Sequence, residues 1–157
     1  MPVKPMNLGQ TSFNIPEFSA SLGGKEQWLP IFNDKVAVQV SAEQTGGEYS
    51  IIQIIIVPGG GVPVHIHDRE DEIYFVTEGE LSVNYNGKPI SAGPGSVLVL
   101  PRKIPHAWSN QSKTNVRIFV MIRPAGFETF FARNLSFKGD MAKMSDCLKK
   151  DYGVTII

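Results

Sequence analysis

Residues 59–79 read GGGVPVHIHDREDEIYFVTEG and hold two of the three histidines in the chain, His65 and His67. Residues two apart in an extended strand point to the same face, with Cα atoms about 6.6 Å apart, so both imidazoles can reach one point. Glu72 opens an alternating segment, and a tight turn over residues 68–71 would return its carboxylate to the two rings. This stretch therefore predicts two strands joined by a turn, with metal-binding side chains clustered where the strands meet.

The third histidine, His106, follows Ile104-Pro105 in another short extended segment that ends at Trp108. Three neutral imidazoles and one carboxylate suit Fe(II), Mn(II), Ni(II), Cu(II) or Zn(II) better than Mg(II) or Ca(II). Four ligands leave up to two octahedral positions open, so such a site can bind water, dioxygen or a bidentate oxygen substrate. We expect one divalent transition metal per chain and no organic cofactor.

Other interpretations of these residues are less favoured. A single histidine on an apolar strand face is more often a core residue, hydrogen-bonded to a carbonyl, than a ligand, but three at these spacings favour a metal. The triple glycine at residues 59–61 is interpreted as a turn, because neither Gly-Lys-Ser/Thr nor a helix follows it. The only cysteine, Cys147, excludes an internal disulfide and a cysteine-based zinc site.

The surrounding sequence alternates with the two-residue period of β-strands. Strand-like segments cover residues 35–40, 48–57, 81–85, 88–92, 96–100 and 116–122. Asn86-Gly87 is a signal for a type I′ turn, which makes residues 81–92 a hairpin. These patterns predict an all-β fold.

Two motifs in this region resemble those of the cupins. They read Gly59-x5-His65-x-His67-x4-Glu72-x6-Gly79 and Gly95-x5-Pro101-x4-His106-x3-Asn110. Residues 80–94, with the hairpin, are similar to the family's intermotif loop. The resemblance implies a cupin-type antiparallel β-barrel (jelly roll) over residues 35–123, with the metal inside it. The implied ligands are His65, His67, Glu72 and His106.

Within the acidic stretch before the second strand, Glu72 has the family's spacing, and neither Glu70 nor Asp71 has it. The alternative for Glu72 is a surface strand residue. The second motif departs at Lys103, where the family usually has glycine, so the turn before His106 is expected to be reshaped. Residues 126–131 and 151–153 also look like the tail of small single-domain cupins of the quercetin-dioxygenase-like kind.

The two ends of the chain differ from the barrel region. Residues 1–34 predict an irregular N-terminal arm that packs on the barrel or on a partner subunit. Its apolar anchors are Phe13, Phe18, Trp28, Leu29 and Phe32. Residues 124–157 predict short C-terminal helices of the same domain, and no helical period precedes Gly126. The two helical stripes are Phe127, Phe130, Phe131 and Leu135, then Met141, Met144 and Leu148 with Asp140 as N-cap and Gly153 as C-cap.

Composition limits the partners. The chain has 157 residues with 15 basic and 15 acidic side chains, which suits one domain without a net field to attract nucleic acid or an anionic membrane. Residues 1–7 are too polar for a secretory signal, and the longest apolar run, residues 51–57, is far shorter than the ~20 residues that span a bilayer. We expect a cytoplasmic protein with no nucleic-acid or membrane partner.

Strand parity predicts which side chains face the metal. Tyr74 and Val76 share the parity of Glu72, and Trp108 shares that of His106, so we expect all three to contact substrate. The alternative for the aromatic rings is plain core packing. This lining is mostly apolar, which favours an aromatic or hydrophobic substrate with a few oxygens directed at the metal.

Three functions are compatible with these residues. The leading one is a metal-dependent dioxygenase acting on a small molecule, with Glu72 as ligand and proton acceptor. Quercetin-like flavonol or enediol substrates are implied by the resemblance alone. The alternatives are a non-redox Lewis-acid enzyme (isomerase, lyase or hydrolase) and a non-catalytic metal- and ligand-binding module. The aromatic arm and the family resemblance together predict a homodimer.

Overall fold

The structure is a computed structural model that describes residue 21 and residues 23–157. Phe13 and Phe18 of the predicted arm lie outside these residues. The described strands are β1 Leu29–Ile31, β2 Asp34–Val40, β3 Ser50–Ile56, β4 His65–His67, β5 Asp71–Glu78, β6 Leu81–Tyr85, β7 Lys88–Ala92, β8 Val97–Leu100, β9 His106–Ser109, β10 Val116–Arg123 and β11 Val154–Ile156. The helices are α1 Ala42–Thr45, α2 Thr129–Asn134 and α3 Met141–Cys147; a 3-10 turn, Leu135–Phe137, follows α2 and a π-helical turn, Leu148–Tyr152, follows α3.

Within the described part of the chain, the strands form two antiparallel sheets. One has six strands in the order β1-β2-β3-β10-β5-β8, and the other has five in the order β11-β4-β9-β6-β7. The core draws apolar side chains from both sheets, such as Val36 and Ile118 from the first and Leu81 and Val154 from the second. This arrangement confirms the expected all-β jelly-roll fold with short C-terminal helices.

Local sequence signals account for several of these elements. Asn86 and Gly87 both have positive φ values, 50° and 79°, which the type I′ turn requires, and Tyr85 pairs with Lys88 across it. The Asp140 side chain accepts a hydrogen bond from the Lys143 N–H and caps α3. Gly153 ends the following turn in the left-handed conformation, with φ 70°.

Three features of the helices and the C-terminal segment were not predicted from the sequence. A short helix, α1, precedes Gly126, because four residues are too few to display a helical period. Leu135 and Met141 are 49% and 50% exposed, so the two apolar stripes are narrower than predicted. The C-terminal segment also contains strand β11, which pairs with β4 opposite β9 and so places the ligand strand inside the sheet.

The outer face of the six-stranded sheet is apolar at its β8 edge. Val97 and Val99 are 55% and 64% exposed, and Phe75 on the neighbouring strand is 37% exposed. Phe75 pairs with Val97 on one side and with Phe119 on the other, so the apolar row crosses three strands. None of the helices among the described residues has the length and apolar character needed to cross a bilayer.

Candidate metal centre

Strand pairing brings the three histidines together. His65 on β4 is the register partner of His106 on β9, and His67 lies two residues further along the same face of β4. Glu72 is the second residue of β5, which belongs to the other sheet. The two sheets therefore contribute three imidazoles and one carboxylate to a single point.

The four side chains lie within ligand distance of one another. Each offers one donor atom, and these atoms all lie within 4.8 Å of each other. The Glu72 Oε2 atom is 2.8 Å from His106 Nε2 and 3.7 Å from His67 Nε2. His67, Glu72 and His106 are buried, with 2%, 5% and 1% of their surface exposed.

In each imidazole ring, the Nδ1 atom makes a hydrogen bond to another group of the protein. His65 Nδ1 is 2.9 Å from the Pro63 carbonyl oxygen, and His106 Nδ1 is 3.0 Å from the Ile104 carbonyl oxygen. A carbonyl oxygen accepts only, so each ring donates from Nδ1 and, when neutral, has its lone pair on Nε2. This is how metal-binding histidines are normally oriented, so the donor set fits a divalent transition metal.

The pKa values of His65 and His67 shift in opposite directions. Burial, together with the charges of His67 and His106, lowers the pKa of His65 to about 4, so this ring is neutral at pH 7. Burial would also lower the pKa of His67, but the charge of Glu72 and the hydrogen bond to Glu70 outweigh it and raise that pKa. Burial disfavours the Glu72 carboxylate, yet His67 and the His106 hydrogen bond lower its pKa to about 2. The cluster thus holds a carboxylate that stays ionised.

An apolar cavity adjoins the cluster. It has a volume of about 70 Å³ and is lined by His65, His67 and Glu72 together with mostly apolar side chains. The Phe127 ring packs edge-on against His67 with centroids 4.8 Å apart, and Phe130 and Phe131 line the same space. The first of the two predicted apolar stripes therefore forms part of the cavity wall.

The three predicted substrate contacts divide into two groups. Tyr74 and Trp108 line the cavity, and the Tyr74 hydroxyl donates to Glu72 Oε2 at 3.3 Å. Burial and the Glu72 charge raise the pKa of Tyr74 well above its ordinary value, so the hydroxyl keeps its proton. Val76 is buried in the core and lies outside the cavity lining. Strand parity predicts the face on which a side chain lies, but it does not predict whether that position along the strand is beside the cavity.

Lys103 occupies its motif position in a conformation that favours glycine. Its φ is 67°, its side chain is exposed, and its backbone N–H donates to the His67 carbonyl at 2.7 Å. A lysine adopts the left-handed geometry here, and the backbone hydrogen bond to His67 ties the turn before His106 to the ligand strand.

Two buried carboxylates, one beside the cluster and one in the turn before β4, were missed by sequence reasoning. Glu70 is 5% exposed, and its Oε2 atom is 3.2 Å from His67 Nδ1. Asp34 is 2% exposed and accepts hydrogen bonds from the Val57 and Gly61 N–H groups, both at 2.9 Å, which fixes the turn that leads into β4. The available signal for Glu70 was its parity with Glu72, two residues away.

Comparisons with known proteins agree with this fold. Residues 53–122 match the family model described as a cupin domain. The chain is 32% identical over 116 residues to Nectarin-1 of Nicotiana plumbaginifolia, over 66% of this chain and 49% of that protein. It is 23% identical over 94 residues to quercetin 2,3-dioxygenase of Bacillus subtilis, over 60% and 28% respectively.

A solved structure described as a predicted oxalate decarboxylase from Thermotoga maritima superposes with a TM-score of 0.64 at 22% identity, over 68% of this chain and 99% of that one. Residues 53–122 are therefore similar to a cupin domain, and the chain resembles quercetin-dioxygenase-like proteins. It spans about half or less of the length of the curated relatives that it matches.

Proposed function

We propose that this protein is a mononuclear metal-dependent dioxygenase acting on a small aromatic or enediol-type molecule. The observation that carries the proposal is the convergence of three imidazoles and one carboxylate on an apolar cavity. The similarity to a quercetin 2,3-dioxygenase supports the reaction class. The residues that would hold the metal are His65, His67, Glu72 and His106.

The cavity walls select the substrate. Trp108 and Phe127 present aromatic surface beside the donor cluster, so a planar apolar molecule gains contact area there while water is excluded. A sugar would leave many hydroxyl groups without partners in this lining. The substrate class is therefore one with a flat apolar body and oxygens at one end.

Glu72 is the proton acceptor in this proposal. Its low pKa keeps it ionised at neutral pH, so a carboxylate oxygen is available to take the proton of a substrate hydroxyl. A bound divalent transition metal would supply Lewis acidity and one-electron chemistry.

Metal content combined with oxygen uptake tests the reaction class. The protein is purified without chelator or affinity metal, analysed for metals, and mixed with flavonols and diketones in an oxygen-electrode cell. The proposal predicts bound Fe, Ni, Cu or Mn and oxygen consumption that depends on substrate. Bound zinc without consumption would contradict it and favour Lewis-acid chemistry or simple binding.

A second experiment tests the apolar cavity. Trp108→Ala should weaken the binding of aromatic ligands while metal is retained, because it removes an aromatic wall of the cavity. Phe75→Ala is the matched control, since this ring is exposed on the outer face of the sheet. If Trp108→Ala binds every aromatic candidate as tightly as the parent, the cavity does not select the substrate.

A further inference from the structure

Glu70 is a buried carboxylate at the edge of the donor cluster. Its side chain is 7% exposed, and its Oε2 atom accepts from the Nδ1–H of His67 at 3.2 Å. It lies just before β5, two residues from Glu72, and therefore has the same parity. Glu70 and Glu72 both point inward and approach His67 from opposite sides of its ring. Burying a carboxylate is unfavourable unless it is paired, and here the pair is with His67.

His67 differs from the other two histidines in this respect. The Nδ1 atoms of His65 and His106 face neutral backbone carbonyls. A hydrogen bond to a charged acceptor is stronger than one to a neutral acceptor, and a carboxylate on Nδ1–H makes the opposite ring nitrogen a better donor. His67 is therefore the ring whose orientation and donor strength depend on a side chain rather than on the backbone.

We propose that Glu70 is a positioning residue for His67. By accepting the Nδ1 hydrogen bond, it fixes the ring so that Nε2 faces the cluster, and it strengthens this nitrogen as a ligand. The claim that Glu70 strengthens Nε2 as a ligand rests on the proposed metal-binding function. The claim that Glu70 orients the ring does not depend on a bound metal. The stacked arrangement of His67 on His106, with an interplanar angle of 6°, is the geometry that Glu70 maintains.

Metal competition tests the effect on ligand strength. The affinity for Zn²⁺ is measured against a chromogenic chelator for the parent, Glu70→Ala and Glu70→Gln. We expect Glu70→Ala to weaken binding by about 10–100-fold, the usual effect of removing such a partner. Glu70→Gln should weaken it less, because the amide oxygen still accepts from Nδ1–H without the charge.

Asp71→Asn is the matched control. It removes the same charge one residue away, but Asp71 pairs with the exposed Arg102 and not with a histidine. Its affinity should stay within about threefold of the parent, as expected for a screened surface charge. If Glu70→Ala binds Zn²⁺ as tightly as Asp71→Asn, the effect on ligand strength is refuted. If Glu70→Ala fails to fold, Glu70→Gln decides by the same comparison.

Histidine NMR of the metal-free protein tests the orientation directly. A ring N–H held by a buried carboxylate exchanges slowly with solvent, so the parent should show a protected Nδ1 proton on His67. Glu70→Gln should keep this proton, whereas a variant without the acceptor loses it. An unchanged proton in Glu70→Ala would overturn the positioning role.

The two readouts separate this inference from the proposed function. A parent that binds no metal but loses the Nδ1 proton in Glu70→Ala supports positioning and refutes metal binding. A parent that binds metal with the same affinity and NMR signal in all Glu70 variants refutes positioning alone.

Discussion

His65 and His106 are register partners across the antiparallel pairing of β4 with β9, and their ring centroids lie 4.5 Å apart. The relationship between two distant positions in the sequence is thus set by backbone pairing. Glu72 then approaches from the opposite sheet, and its Oε2 atom lies 2.8 Å from His106 Nε2. The donor cluster depends on the packing of both sheets.

Replacing Glu72 separates metal binding from chemistry. Glu72→Gln should reduce metal affinity only moderately, because the amide oxygen is a weaker donor than a carboxylate but has similar shape. Turnover should fall severely, since the amide cannot take up a proton at neutral pH. Metal titration and oxygen uptake on the same preparation check both effects. Unchanged turnover would remove Glu72 from the mechanism.

Metal affinity should depend on pH through His67. The pKa of His67 is raised above its ordinary value of 6.5. As the pH falls, this ring therefore takes up a proton at a higher pH than a free imidazole does and ceases to be a ligand. His65, with a pKa of about 4, stays neutral throughout and adds no slope near neutrality. Affinity should therefore rise as the pH increases through the raised pKa of His67, which lies above 6.5, with proton release on binding. Calorimetry in buffers of different ionisation enthalpy measures this; a pH-independent affinity without proton release would contradict it.

Alanine substitution of Gly60, in the turn before β4, should lower stability more than alanine substitution of Gly93. A Cβ on Gly60 would overlap the Asp34 carboxylate, which holds the Val57 and Gly61 N–H groups. Gly60→Ala should lower the free energy of unfolding by about 1–3 kcal/mol, the usual cost of overpacking a buried site. Gly93→Ala is the control, because no heavy atom lies within 4 Å of its added Cβ. Equal stabilities in chemical denaturation would show that Asp34 is free to move.

Much of the fold and of the cluster was predictable because its signals are local. The two-residue period placed His65 and His67 on one face of a strand, Asn86-Gly87 marked the hairpin, and Asp140 marked the start of α3. Each of these depends on a few adjacent residues whose conformations follow from backbone sterics and hydrogen bonding.

The remainder depends on contacts that are distant in sequence. Strand β11 has only three residues, and its partner β4 is far away in the chain, so no local sequence pattern predicts this strand. Glu70 sits in an acidic run that resembles a solvated turn, and only the packing around His67 buries it. Val76 has the right parity but lies too far along β5 to reach the cavity.

We propose that the chain forms a homodimer, and the exposed apolar edge of the six-stranded sheet supports this. Val97 and Val99 are exposed apolar side chains on the edge strand β8, and contiguous exposed apolar surface is typical of subunit interfaces. The intact chain should sediment as a dimer at micromolar concentration, and Val99→Lys should shift it toward monomer. Ile90→Lys, at an exposed position on the other sheet, should leave the dimer intact. A monomeric parent would refute the proposal.

Elemental analysis of the intact protein and its histidine variants tests the central claim most directly. The parent, purified without chelator or affinity metal, should hold one divalent transition metal per chain. His65→Ala, His67→Ala and His106→Ala should each lose most of it, because the three remaining donors are imperfectly organised. Lys103→Ala, an exposed position beside the same turn, should retain it. Full metal retention in two of the three histidine variants would contradict the assignment of this cluster as the metal site.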